Sequence, residues 1–127
     1  SVCTTSTHDM TPLRNWWKED TEKTQRYYNH VLQRIGEAPD ECTAEIVAQI
    51  ISNHLKTRSM LTIIPLQDWF AMDDSIKRKD IESERINVPA NSTHYWRYRM
   101  HITLEQLLQA DNLNNKIVSL IKEAGRK

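Results

Sequence analysis

The sequence predicts an α/β fold, and three observations carry that expectation. Ser1 to Thr7 is short, small and rich in β-branched residues, which suits a buried strand. Met60-Leu61-Thr62-Ile63-Ile64 is a continuous apolar run closed by Pro65, the pattern of a strand covered on both faces. Between them lie two stretches of helical periodicity. Two buried strands separated by a helical crossover imply a parallel, right-handed βαβ arrangement. Two parallel strands cannot cover their own edges, so the expected unit is an incomplete α/β domain.

The elements follow in order. After the first strand come His8 and Asp9. Thr11-Pro12 then offers a helix start, with the hydroxyl as N-cap and Pro at the first helical position. Leu13, Trp16, Trp17, Tyr27, Tyr28, Val31, Leu32 and Ile35 continue at helical spacing, and Gly36 with Pro39 ends the helix. A second helix places Ile46, Val47, Ile50, Ile51 and Leu55 on one face, with Lys56 and Arg58 near its negative end. The apolar strand 60–65 comes next, and Leu66 to Phe70 leaves it at once. Asp73 to Arg85 mixes both charge signs and predicts an exposed loop or a short solvated helix. Thr103 caps the last helical region. Leu104, Leu107 and Leu108 begin its apolar face, Leu113, Ile117, Leu120 and Ile121 resume it past a break near Asp111, and Gly125 ends it.

Composition excludes several functions. The 127 residues carry 17 Lys plus Arg against 17 Asp plus Glu, so the formal net charge is zero, which argues against nucleic-acid binding through bulk charge. No apolar run approaches the ~20 residues of a membrane span, and no signal peptide opens the chain. Cys3 and Cys42 are too few for a disulfide framework, which makes a reducing compartment the expectation. Two glycines leave no room for a glycine-rich phosphate loop. The five histidines show no metal-ligand spacing, and no serine nucleophile elbow is present, so neither a metal nor a cofactor is expected. The first residue is Ser1, and the expectation is that the chain is cut from something larger.

Both polar clusters follow the carboxyl ends of the expected strands, the edge on which loops of α/β proteins converge into a site. His8-Asp9 leaves the first strand and Gln67-Asp68 the second. A carboxylate beside an imidazole suits a site that stabilises positive charge and binds hydroxyls. Spacing alone favours an Asp9 that caps the following helix, with His8 as its partner. The aromatics concentrate at Trp16-Trp17, Trp69-Phe70 and Tyr95-Trp96-Arg97-Tyr98-Arg99. Such faces stack on sugars and nucleobases, and more often fill a core.

Three motifs in order, Ser6-Thr7-His8-Asp9, Pro65-Leu66-Gln67-Asp68, and Glu84-Arg85-Ile86-Asn87-Val88-Pro89 followed by His94-Tyr95-Trp96-Arg97-Tyr98-Arg99, resemble the C-terminal part of the 4-α-glucanotransferases. These are the amylomaltases or disproportionating enzymes of glycoside hydrolase family 77, and the form of the last motif is most similar to the plant cytosolic type. The resemblance implies a (β/α)8 TIM barrel, of which residues 1–127 would be a C-terminal fragment carrying about strands seven and eight with their helices and no second domain. It implies transfer of α-1,4-glucan segments between maltodextrins by a retaining double displacement. It implies that Asp9 is the catalytic carboxylate that stabilises the transition state, that His8 and Asn87 bind substrate, and that Gln67 and Asp68 line or support the same pocket. The retaining mechanism also needs a nucleophile and an acid/base about 5 Å apart. The family draws both from upstream strands, so the fragment alone is expected to be inactive.

The partners implied are a maltodextrin or glycogen-like glucan and the remainder of the barrel, in the cytoplasm, with no nucleic acid and no membrane. A fragment with open strand edges is expected to self-associate. The alternatives are a small helical protein-interaction module without a catalytic role and, more remotely, a single-stranded nucleic-acid binder using Tyr95 to Arg99.

Overall fold

The computed structural model describes residues 1–94 and 96–126. Strand β1 (Val2–Thr4) is followed by helices α1 (Leu13–Glu19), α2 (Thr21–His30) and α3 (Ala44–Leu55), then strand β2 (Leu61–Ile63) and helix α4 (Leu66–Phe70). A single 3-10 turn at Glu82–Glu84 interrupts a long irregular segment, and helices α5 (Leu104–Leu108) and α6 (Asp111–Glu123) close the chain. The two strands pair in parallel with Val2 opposite Leu61, Cys3 opposite Thr62 and Thr4 opposite Ile63, as the helical crossover predicts.

The core lies on one side of this two-stranded sheet. Ile46, Val47, Ile50, Ile51 and Leu55 of α3 are buried as their spacing predicts, and Leu113 of α6 packs into the same cluster. Thr43 caps α3 by accepting from the Ile46 amide at 3.3 Å. Trp17 is buried too, its indole N–H donating to the Pro39 carbonyl at 2.8 Å. Trp16 and Trp17 meet edge to face, and Tyr27 and Tyr28 contact them in the same way, so this aromatic cluster is core packing.

Several sequence expectations are corrected. The long first helix is two helices, broken at Asp20, whose extended backbone (φ −146°, ψ 102°) ends α1. The Asp20 carboxylate accepts from the Glu22 and Lys23 amides, both at 3.1 Å, and so starts α2. Periodicity runs smoothly through this corner because the buried Thr24 hydroxyl donates to the Trp17 carbonyl at 2.7 Å, closing the bend. α2 ends at His30, well before Gly36, because Gln33 takes a left-handed conformation (φ 55°). Thr11 does not cap α1. Pro12 holds the cap position without a side-chain bond, and the free Leu13 amide finds a distant partner in Asp68.

The strands also differ from expectation. Val2, Leu61 and Ile63 are 59%, 55% and 58% exposed, so the sheet is covered on one face only. The register puts Val2, Thr4, Leu61 and Ile63 on the open face. The C-terminal region follows the expected outline: Thr103 caps α5, the helix breaks just before Asp111, and Gly125 (φ 70°) terminates α6; the structure adds Gln106 as the reciprocal partner of the cap. In α5, Leu107 packs on the core, whereas Leu104 and Leu108 face outward. Among the described residues no helix is long and apolar enough to cross a membrane.

Candidate active site

The loop that leaves β1 is shaped from within. The Thr4 hydroxyl donates to the Ser6 carbonyl at 2.7 Å, and a turn in which the Met10 amide donates to the Thr7 carbonyl at 3.0 Å lifts His8 and Asp9 outward. The Asp9 carboxylate is held on both oxygens. Asn87 Nδ2 donates to Oδ1 at 2.7 Å across 78 residues of sequence, and His8 Nε2 lies 3.2 Å from Oδ2. More than half of each acidic and imidazole side chain remains open to solvent. This is a carboxylate fixed in direction by neighbours and left accessible, an arrangement suited to charge that develops on a bound ligand.

Asp68 has the opposite surroundings. It is completely buried, and its carboxylate accepts from the Thr5 hydroxyl at 2.5 Å, the Ser6 hydroxyl at 3.3 Å and the Leu13 amide at 2.9 Å. Burial pushes its carboxyl above the usual carboxylate range, and the three donors pull it back only in part. Asp68 thereby ties the β1 loop to the first turn of α1 and does the capping that sequence spacing offers to Thr11 or Asp9.

Gln67 lies beside it, also buried, and donates from Nε2 to the Glu84 carbonyl at 3.1 Å. That bond fixes the backbone three residues before Asn87. Of the five residues singled out in sequence, His8, Asp9 and Asn87 therefore meet at the surface, while Gln67 and Asp68 lie beneath and hold the loops that carry them.

A cleft of about 400 Å³ opens between these loops, with Ser6, Thr7, His8, Gln67 and Glu84 supplying its polar wall. Val2 and Ile63, from the open face of the sheet, supply part of its apolar wall. Glu84 is buried, and burial raises its carboxyl above the ordinary range, against the opposing charges of Arg78, His101 and Arg14. Charge patterning does not separate Glu84 from the exposed Glu82 two residues earlier; only the motif that begins at Glu84 does. Among the described residues no group of His, Cys, Asp and Glu is arranged to hold a metal ion. Both cysteines are free, and burial pushes the Cys42 thiol up to about 12, which leaves it unreactive.

The aromatic motif at 95–99 does not form one continuous platform. Tyr95 lies outside the described residues. Tyr98 turns inward beneath the Arg78 guanidinium, 5.4 Å from its ring centroid, and burial together with the Glu84 charge raises its hydroxyl to about 12. Trp96 turns the other way and meets the His8 ring, with centroids 5.0 Å apart and planes tilted by 47°.

A parallel strand pair with a polar cleft and an oriented carboxylate at its carboxyl ends is the anatomy of an α/β enzyme site. Comparison with known proteins gives the particular family. The profile of glycoside hydrolase family 77, described as 4-alpha-glucanotransferase, matches residues 1–105. The 4-alpha-glucanotransferase DPE2 of Oryza sativa subsp. japonica is 39% identical over 126 residues, covering 99% of this chain and 13% of the rice protein. The 4-alpha-glucanotransferase of Chlamydia trachomatis is 30% identical over 123 residues, covering 94% of this chain and 22% of that protein. An amylomaltase from Streptococcus agalactiae, solved in complex with acarbose, superposes with a TM-score of 0.71 over 99% of this chain and 22% of its own, at 19% identity, and so shares the fold. The chain belongs to the 4-alpha-glucanotransferase family, and it spans a small part of the length of these relatives. Nothing in the fold or in these relatives supports the interaction-module alternative.

Proposed function

We propose that these residues form part of the active site of a 4-α-glucanotransferase that moves α-1,4-glucan segments between maltodextrins. The observation that carries this reading is the Asp9 carboxylate, held by Asn87 at 2.7 Å and by His8 at 3.2 Å on an accessible loop at the end of β1. In a retaining double displacement the transition state carries positive charge at the anomeric carbon and ring oxygen. A carboxylate already oriented toward that charge favours it over the neutral ground state. Asp9 takes this role, and His8 and Asn87 bind sugar hydroxyls beside it. Gln67 and Asp68 support the pocket from below.

The nucleophile and the acid/base lie outside residues 1–127. β1 and β2 are then the seventh and eighth strands of a (β/α)8 barrel, and the open apolar face of Val2, Leu61 and Ile63 is its interior, covered by the other strands. Produced alone, the fragment self-associates through that face and is inactive. The substrate is a maltodextrin or a glycogen-like glucan, and the compartment is the cytoplasm, in keeping with two unbonded cysteines.

The test is disproportionation of maltotriose by the full-length protein and its Asp9→Asn variant. Loss of an oriented charge typically costs about 10²- to 10³-fold in turnover, and that is the expected fall, with the fold and maltodextrin binding retained. His8→Ala should fall less, because it removes a hydroxyl contact and leaves the carboxylate. Near-normal turnover in Asp9→Asn would remove Asp9 from the chemistry.

A further inference from the structure

Trp96 has no role in the reading above, and its surroundings ask for one. Trp16, Trp17 and Trp69 all pack against the core, whereas Trp96 is 59% exposed. A lone exposed aromatic on a surface is ordinary. This one lies against His8, whose neighbour is the accessible carboxylate of the site.

Its position is built rather than incidental. Trp96 sits in the segment between Asn87 and Arg99, which is fastened at both ends. Asn87 bonds to Asp9 at one end, and at the other the Arg78 guanidinium donates to the Arg99 carbonyl. Within the segment, the Asn91 side chain accepts from the Thr93 amide at 3.0 Å and the Thr93 hydroxyl at 2.8 Å, and the His94 ring contacts the Ile86 carbonyl at 3.1 Å. These bonds order described residues on either side of Trp96, and the indole itself meets the His8 ring.

We infer that Trp96 is a stacking platform for one pyranose ring of a bound glucan, next to the ring whose hydroxyls His8 and Asp9 hold. A glucose ring presents axial C–H groups on its faces and hydroxyls around its rim. Its faces therefore suit an aromatic plane, while its rim suits carboxylate, amide and imidazole partners. Asp9, Asn87 and His8 provide the rim partners, and Trp96 is the aromatic plane that meets the last of them, His8. The platform contributes to binding and not to the reacting charge. This inference rests on the glucan-transfer reading.

The test compares maltotriose disproportionation by the full-length protein with that of Trp96→Ala, Trp96→Leu and Trp96→Phe. A platform predicts a KM raised about tenfold in Trp96→Ala with kcat within about twofold, a similar rise in Trp96→Leu, and recovery of most of the affinity in Trp96→Phe. The leucine and phenylalanine pair decides the matter even where the alanine variant folds poorly, since both retain apolar bulk and only one retains a ring. An unchanged KM, equal behaviour of Leu and Phe, or a fall in kcat alone would overturn the platform, the last making Trp96 a prop for His8. Absence of transfer by the unmodified full-length protein would overturn the glucan reading and this inference together, so the two failures are distinct.

Discussion

Asp9 and Asp68 occupy equivalent places in the chain. β1 ends at Thr4 and β2 at Ile63, two residues that pair with each other, and each aspartate follows its strand end by five residues (9 − 4 and 68 − 63). Their surroundings are opposite. After β1 the backbone turns outward, and Asp9 keeps 55% of its side chain exposed. After β2, Pro65 starts α4 at once, and the first turn of that helix carries Asp68 into the interior. Both carboxylates are fully engaged, Asp9 by two side chains and Asp68 by two hydroxyls and an amide. The difference lies in what each bond set holds in place. The donors around Asp68 belong to the loop and the helix it joins, so they stabilise the frame. The donors around Asp9 fix the direction of an accessible carboxylate beside His8, which lines the cleft.

Truncating each aspartate tests that division most severely. Asp68→Ala strands the Thr5 and Ser6 hydroxyls and the Leu13 amide, and should cost about 3 kcal/mol in urea unfolding of the intact protein. A loss below about 1 kcal/mol would mean that water or neighbouring groups take over its bonds. Asn87→Ala frees one oxygen of Asp9 and should slow maltotriose transfer roughly ten- to a hundredfold, with little change in the unfolding midpoint. An equal effect on stability would move Asn87 to the frame.

Asp68→Asn is milder, since the amide still accepts from Leu13 and the hydroxyls can turn to accept from its NH2, and it should cost about 1 kcal/mol near neutral pH. Its pH dependence is more telling. The folded carboxyl of Asp68 titrates above its unfolded value, so the folded state binds more protons than the unfolded state between the two. Stability contributed by this group is therefore greatest below the ordinary carboxylate range near pH ~4 and declines as pH rises toward the folded value. Unfolding midpoints measured from pH ~4 upward should show a shallower decline in Asp68→Asn. Glu84 shifts in the same direction and leaves part of the slope in place. The smallest effect is expected for Asp9→Asn, whose unfolding free energy should change by less than about 0.5 kcal/mol.

Much of the frame was legible because its signals are local. The α3 stripe from Ile46 to Leu55, the Thr103 cap and the stop at Gly125 each depend on residues within a few positions of one another. The corner at Asp20 was not legible. Its apolar spacing continues across the break and masks the one local signal, Asp20, which caps α2 while Thr24 bonds back to Trp17. At the site, the motifs named Asp9, His8, Asn87, Gln67 and Asp68 as a set. They could not say which would stay open to solvent and which would be buried beneath the loops.

By itself, then, the sequence determined the alternation of strand and helix, the apolar face of each long helix, the parallel pairing and the identity of the polar clusters at the strand ends. These follow from side-chain periodicity and capping chemistry, which act over one or two turns. Only the tertiary structure decided that Asp68 is buried and Asp9 open, that Glu84 is inside where Glu82 is outside, and that Trp96 reaches His8. Each of those outcomes depends on packing between segments far apart in the chain. The Asp68 bonds span 55 to 63 residues and the Asn87–Asp9 bond spans 78, distances over which no local pattern carries information.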